Sequence, residues 1–365
     1  MNIEKGKISA IQLTLIAAAV FEGSVYALSF SANLAKNNNW LVILASMFIA
    51  VPFGYIYALL IKRFPGLSIV DIHEMIYGRY VGTAVSVYFL SYFLMIFTLT
   101  TRDVGDFYNT FFLRETPPEV IMIVFLCASA YGVWNGIEVL CRIAPFSLTL
   151  ISLVIIGTAL MLLPKMNFAN FLPIGEIPLI NFIHSTQIIT EIPSGIVLTV
   201  YLALSFAAKD QRRVTRTFLS GLLLGTTFSL AAAIRNTAVL GGTESILFSP
   251  SFQTSRLINI GFLSRLDILF AFGHTFAQFS LNSTYFYISV LLFAQILRLR
   301  TYSPLIFPLG CTAVIMAMTI YPSPIEHLQS TQNVEVMFFF PAMFIFPPLS
   351  LLIAKIRNLP KEGCQ

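Results

Sequence analysis

Apolar residues in this chain come in long unbroken blocks, separated by short segments that collect the charges, glycines and prolines. Strict alternation over about ten residues, the pattern of an outer-membrane barrel strand, is absent. Such blocks read as helices that cross a bilayer. Hydrocarbon offers no partners to backbone N–H and C=O groups, and a helix satisfies them within its own segment. Against the breakers, ten spans are predicted at roughly 9–34, 40–61, 81–101, 119–134, 143–163, 184–206, 217–238, 266–296, 303–321 and 336–354. Trp40 and Trp134 fall at span ends, where an amphipathic ring prefers the interface.

Composition agrees. Of 365 residues, 57% are hydrophobic and 11% charged, with a mean hydropathy of +0.81. A soluble chain carries about twice that charge. The spans tile nearly the whole length, so residues 1–365 are expected to form a single all-α transmembrane domain. The opening MNIEKGKISA has no small-residue cleavage site after its apolar stretch, which predicts that the first span is retained. Cys127, Cys141, Cys311 and Cys364 show neither pairing nor metal spacing and read as soft core filler; no cofactor or metal is expected.

Charge sets the orientation. With the N-terminus inside, fifteen of the 22 Lys and Arg residues fall on the inner side, and Lys36, Arg102, Arg114, Lys165, Arg235, Arg256 and Arg265 on the outer. That excess predicts an even number of spans with both termini cytoplasmic. The cluster KDQRRVTR (209–216) is the strongest inner anchor and a candidate contact for anionic lipid. The pI near 9.0 reflects these loops and does not point to nucleic acid.

Two stretches break the apolar pattern. FEGSVY (21–26) places Glu22, Gly23 and Ser24 inside the first span, and TEIPSG (190–195) places Glu191, Pro193, Ser194 and Gly195 inside the sixth. They are read as the only acids deep in the spans. A carboxylate at mid-membrane costs at least about 2.5–3.5 kcal/mol on insertion scales, so it calls for a function or a partner. Proline removes a donor and frees carbonyls a turn earlier, and glycine eases departure from the helix. The sixth span opens a second set of five that starts on the opposite side, giving an inverted pair of about 9–163 and 184–354. Matching breaks in two such halves point to a ligand site at the repeat interface. Glutamates there favour a cationic group, such as the amino group of an amino acid. The alternative is that each carboxyl serves as interhelical packing glue.

Weaker candidates are Arg102 and Asp103 in TLTTRDVGDF (98–107), as an outer gate or a solvated helix end, and Gln278, Asn282 and Ser283 in FAQFSLNST (276–284), as a cation site or interhelical bonds. Arg142 reads as an interfacial anchor.

At RDVGDFYNTFFLRETPPEVIMIVFL (102–126) and GIEVLCRIAPFSLTLI (136–151) the chain resembles the B subunits of spore germinant receptors. These form a branch of the amino acid–polyamine–organocation transporter superfamily. KGKISAIQL (5–13), RLDILFAF (265–272) and YSPLIFPLG (302–310) extend the resemblance over nearly the whole chain. It implies a ten-helix, LeuT-like 5+5 inverted repeat with spans one and six interrupted around a small-molecule site. It further implies residence in the inner membrane of a bacterial endospore, A and C receptor subunits as partners, and an amino acid or sugar germinant as ligand. The competing function is an amino-acid permease on the same fold. The fifth span holds no Lys or acid to act as a proton carrier, which tilts against a proton-driven permease of that type, though Glu22 or Glu191 offers another carrier. An intramembrane enzyme is the poorest reading: His73, His184, His274 and His327 lie far apart, and HExxH and GxSxG are missing.

Overall fold

The computed structural model describes residues 6–24, 26–260, 263–264 and 267–360. Among them, seven helices are long and apolar enough to cross a membrane, and three shorter apolar helices accompany them. Resolved into crossings, they follow the ten expected spans. Span 1 comprises Ala10–Gly23 and Tyr26–Ala35, span 2 Asn39–Arg63, span 3 Arg79–Phe111, span 4 Pro118–Trp134 and span 5 Ile137–Leu162. Span 6 comprises Leu179–Ile189, a π-helical turn Thr190–Ser194, and Gly195–Leu204. Spans 7, 8 and 9 are Gln211–Leu240, Asp267–Ile296 and Ile306–Thr319. Span 10 runs Pro324–Ser330, Thr331–Glu335, Val336–Phe340, Pro341–Ile345 and Phe346–Ile356, with the second and fourth pieces π-helical.

Local chemistry explains most boundaries. Ser9 caps span 1 in a reciprocal box with Gln12. At the break, both the amide and the hydroxyl of Ser24 donate to the Phe21 carbonyl, at 3.0 and 2.6 Å, and the helix restarts at Tyr26. In span 6, Pro193 has no amide to give; the wider π turn absorbs the missing bond and the chain stays helical through it.

Two spans depart from expectation. Span 3 continues to Phe111 instead of ending at 101, so Arg102 and Asp103 lie buried inside the bundle and not at a solvated helix end. Span 10 starts at Pro324 instead of 336. Glu22 and Glu191 are therefore not the only deep acids: Asp103, Asp106 and Glu335 are also buried within spans. Asp103 and Glu22 face groups on other helices, His327 and Ser229, while Asp106, Glu191 and Glu335 accept hydrogen bonds from their own span or the segment before it.

Span 6 is central, with 94% of its most apolar window inside the bundle against 33% for span 10. Span 8 packs along spans 1, 3 and 5, and span 1 also lies against span 7. Gly23 makes one of these approaches possible. A Cβ there would stand 2.6 Å from Leu281 Cβ and 2.7 Å from the Ala277 carbonyl oxygen. Outward-facing Phe48, Val124, Leu153 and Met337 form part of an apolar surface suited to lipid. Outside the spans, Ile69–Tyr77 and Pro250–Arg256 form short helices, and Asn259–Ile260 pairs with Leu263–Ser264 in a two-residue ladder.

The loops sort to two ends. At one, the Ile8 amide donates to Ala207 O at 3.0 Å, Arg63 donates to Ala354 O at 2.9 Å, and Arg298 pairs with Glu74 at 3.3 Å. At the other, Asn33 donates to Ser245 O at 3.0 Å, Gly175 N donates to Asn38 at 2.8 Å, and Asn170 donates to Ala238 O at 2.9 Å. Ile8 and Ala354, near the two ends of the described residues, belong to the first group.

Candidate functional site

A cavity with about 40 Å³ of free volume opens beside the span 1 break. Span 1 contributes Ser24, Ala27 and Phe30; span 3 Ile96, Leu99, Thr100 and Asp103; span 6 Ile192 and Ile196; span 8 Leu281; span 10 His327, Thr331, Glu335 and Phe339. One wall is aliphatic and aromatic. The other carries two carboxyls, an imidazole and three hydroxyls. A larger cavity of about 340 Å³ lies at the end of the bundle that holds Ser245–Phe248, and Phe30 lines both.

Apart from Ser24, the polar groups of the lining come from spans 3 and 10. His327 Nδ1 stands 3.6 Å from Asp103 and Nε2 stands 3.7 Å from Glu335. Its ring stacks on Tyr321 at 5.1 Å and meets the edge of Phe30 at 5.6 Å. Glu335 accepts from the Tyr321 hydroxyl at 2.8 Å and from Thr331 at 2.9 Å. Arg102 Nε donates to both oxygens of Asp106 at 2.9 Å, and its Nη1 donates to the Ala317 and Tyr321 carbonyls at 2.9 Å. The guanidinium thus neutralises Asp106 and ties span 3 to the segment leading into span 10.

Of the residues singled out in the sequence, the cavity gathers Ser24 and Asp103. Neither glutamate is among its lining residues. Glu22 accepts from Ser229 of span 7 at 3.3 Å, and Glu191 accepts from Gln187 one turn back at 2.8 Å. Pro193 and Ser194 lie in the span 6 π turn with Ile192, and Gly195 opens the helix that carries Ile196. Asn282 donates to Thr100 at 3.0 Å and Thr101 at 2.8 Å, joining span 8 to span 3 beneath the cavity. Gln278 and Ser283 are fully buried on span 8, and their side-chain polar atoms have no hydrogen-bond partner among the described residues.

The hydrophobic pattern does not reveal His327 and Glu335, because the apolar block of span 10 begins one residue after Glu335. The signal was present. Ser323-Pro324-Ile325-Glu326 places a capping serine, an N1 proline and an acid three residues on, and the Ser323 hydroxyl accepts from the Glu326 amide at 3.3 Å.

A helix broken beside a small cavity, with a second interrupted helix behind it, belongs to the LeuT-like class of multi-pass membrane proteins. Two solved structures share this fold. MhsT in complex with L-phenylalanine gives a TM-score of 0.68 at 15% identity, covering 96% of this chain and 89% of its own. Mhp1, a nucleobase-cation-symport-1 family transporter, gives 0.66 at 14% identity, covering 96% and 80%. Within that class, residues 7–325 match the family described as spore germination protein, and the chain belongs to that family. Spore germination protein KB of Bacillus subtilis (strain 168) is 25% identical over 99% of this chain and 98% of its own length. Spore germination protein A2 of the same organism is 26% identical over 40% of each.

Proposed function

We propose that this protein is the B subunit of a spore germinant receptor and binds a small nutrient, an amino acid or a sugar, at the span 1 break. The observation that carries this reading is the cavity beside the span 1 break. It is small, lies deep in the bundle, and sets hydroxyls and ionisable groups against an apolar wall, the usual make-up of a small-molecule site. Glu22, Gly23, Glu191, Pro193, Ser194 and Gly195 flank that cavity along the chain and shape the two interrupted spans, with Ser24 in direct reach. The two halves correspond to about 9–163 and 184–354. The protein resides in the inner spore membrane with both termini cytoplasmic, beside A and C subunits that convey the response.

The test fills the cavity. Spores carrying Ile196→Trp are compared with wild type for germination against concentration over a panel of amino acids and sugars, with abundance of the protein measured on the same spores. A dose curve moved to higher concentration at normal abundance is expected for the active ligand. Unchanged curves across the panel at normal abundance overturn the reading. Uptake of that ligand into vesicles containing this chain alone would make it an amino-acid permease of the same superfamily instead.

A further inference from the structure

The His327 imidazole is buried, and each of its two ring nitrogens faces a different carboxyl, Asp103 on span 3 and Glu335 on the same span 10. A neutral imidazole offers one N–H and one lone pair, so an ionised carboxylate on each side leaves one nitrogen facing like charge. Neighbouring charges do not relieve this. On span 3, Arg102 is committed to Asp106 and to two carbonyls. Before span 10, Tyr321 contributes only a hydroxyl, bonded to Glu335. Spans 1, 6 and 8 add Ser24 and otherwise apolar groups to the same cavity. With Arg102 and Asp106 cancelling, Asp103 and Glu335 leave two negative charges against one imidazole in a buried site, an arrangement that is costly until it takes up positive charge.

We propose that Asp103, His327 and Glu335 form a proton-binding site on the wall of the cavity, and that its occupancy controls how closely the first half of span 10 lies against span 3. The cavity reaches all three side chains, so protons can exchange with water there. With a proton added to the imidazole, both ring nitrogens donate, and the 3.6 and 3.7 Å separations can shorten to charge-assisted bonds. On loss of protons, carboxylate repulsion loosens the outer end of span 10. The inference stands whatever the ligand of the cavity is.

The test needs no germinant, so its failure leaves the binding reading in place. In full-length protein in lipid nanodiscs, with its native cysteines replaced, spin labels on cysteines at the exposed positions Thr110 and Ile325 report the separation of spans 3 and 10. From about pH 5 to about pH 9, the distance distribution is expected to move to longer values in the wild type. The shift is expected to vanish in His327→Gln or, should that chain fail to fold, in Glu335→Gln. A wild-type distribution that does not change with pH overturns the proposal. So does a shift that persists undiminished in a folded variant.

Discussion

Glu22 and Glu191 each bring a carboxyl into the bundle, yet they meet different neighbours. Ser229 donates to the first and Gln187 to the second, and both acids stand behind the cavity wall, not in it. If they shape the ligand site, Glu22→Gln and Glu191→Gln should each move the germination dose curve to higher concentration at normal abundance. Glutamine keeps shape and an acceptor, so the substitution tests charge. Loss of the protein from the membrane would instead identify the carboxyls as packing contacts, and unchanged curves for both variants would remove them from the site. Gly23 gives a sharper expectation. The Cβ of Gly23→Ala would fall on Leu281 Cβ and the Ala277 carbonyl, backbone included, so span 1 must move off span 8. Such overpacking costs about 1–3 kcal/mol. Thermal unfolding of the purified variant in detergent should show a lowered Tm; an unchanged Tm would mean that the interface gives way freely.

At the scale of elements, the short helix Ile69–Tyr77 shows how a non-spanning segment is fixed. Ser68 caps it through Asp71, and its buried His73 lies 3.0 Å from the Ser86 hydroxyl of span 3 and packs on the Phe89 ring at 5.1 Å. Burial pushes the His73 imidazole down from an ordinary 6.5 to about 3. Below 6.5 the unfolded chain therefore takes up a proton that the native chain refuses, and stability falls as pH drops toward 3. Unfolding followed across that window should show a shallower loss for His73→Gln than for wild type, and parallel losses would refute it. Elements also show what the sequence could reveal. The break in span 1 was legible because Gly-Ser beside a buried acid is a chemical interruption in its own right. Pro193 announced an interruption in span 6, but not that a π turn would keep it helical. Span 3 outruns its apolar block, and in sequence Arg102, Asp103 and Asp106 have the look of a helix terminus. The distant partners of Arg102 and Asp103, Tyr321 and His327, lie some two hundred residues away, and only packing brings them together. Asp103 could thus be nominated from sequence as a polar oddity, while its role in a cluster with span 10 could not.

For the whole molecule, what matters is which end of the bundle faces the cytoplasm. The segments around Ile8, Arg63, Glu74, Ala207, Arg298 and Ala354 meet at one end, and those around Asn33, Asn38, Gly175, Ala238 and Ser245 at the other. This is the sorting that an even number of crossings requires. The first end also carries Lys62, Arg63, Arg79, Lys209, Arg213, Lys355 and Arg357, an excess of basic residues that favours the cytoplasmic side. A labelling experiment follows directly. Asn38 is a poor site despite its position, being buried and bonded to Pro173 O and Gly175 N. Ile246, 79% exposed, and the exposed Arg213 are better. In a functional variant without native cysteines, a cysteine at Ile246 should react with an impermeant maleimide added to intact cells expressing the protein. One at Arg213 should react only after permeabilisation. The reverse pattern would invert the molecule and place the 340 Å³ cavity, whose wall includes Ile246, on the cytoplasmic side. A nutrient arriving from outside would then have no open vestibule above the span 1 break. Orientation thus decides whether the larger cavity is the entrance to the smaller one.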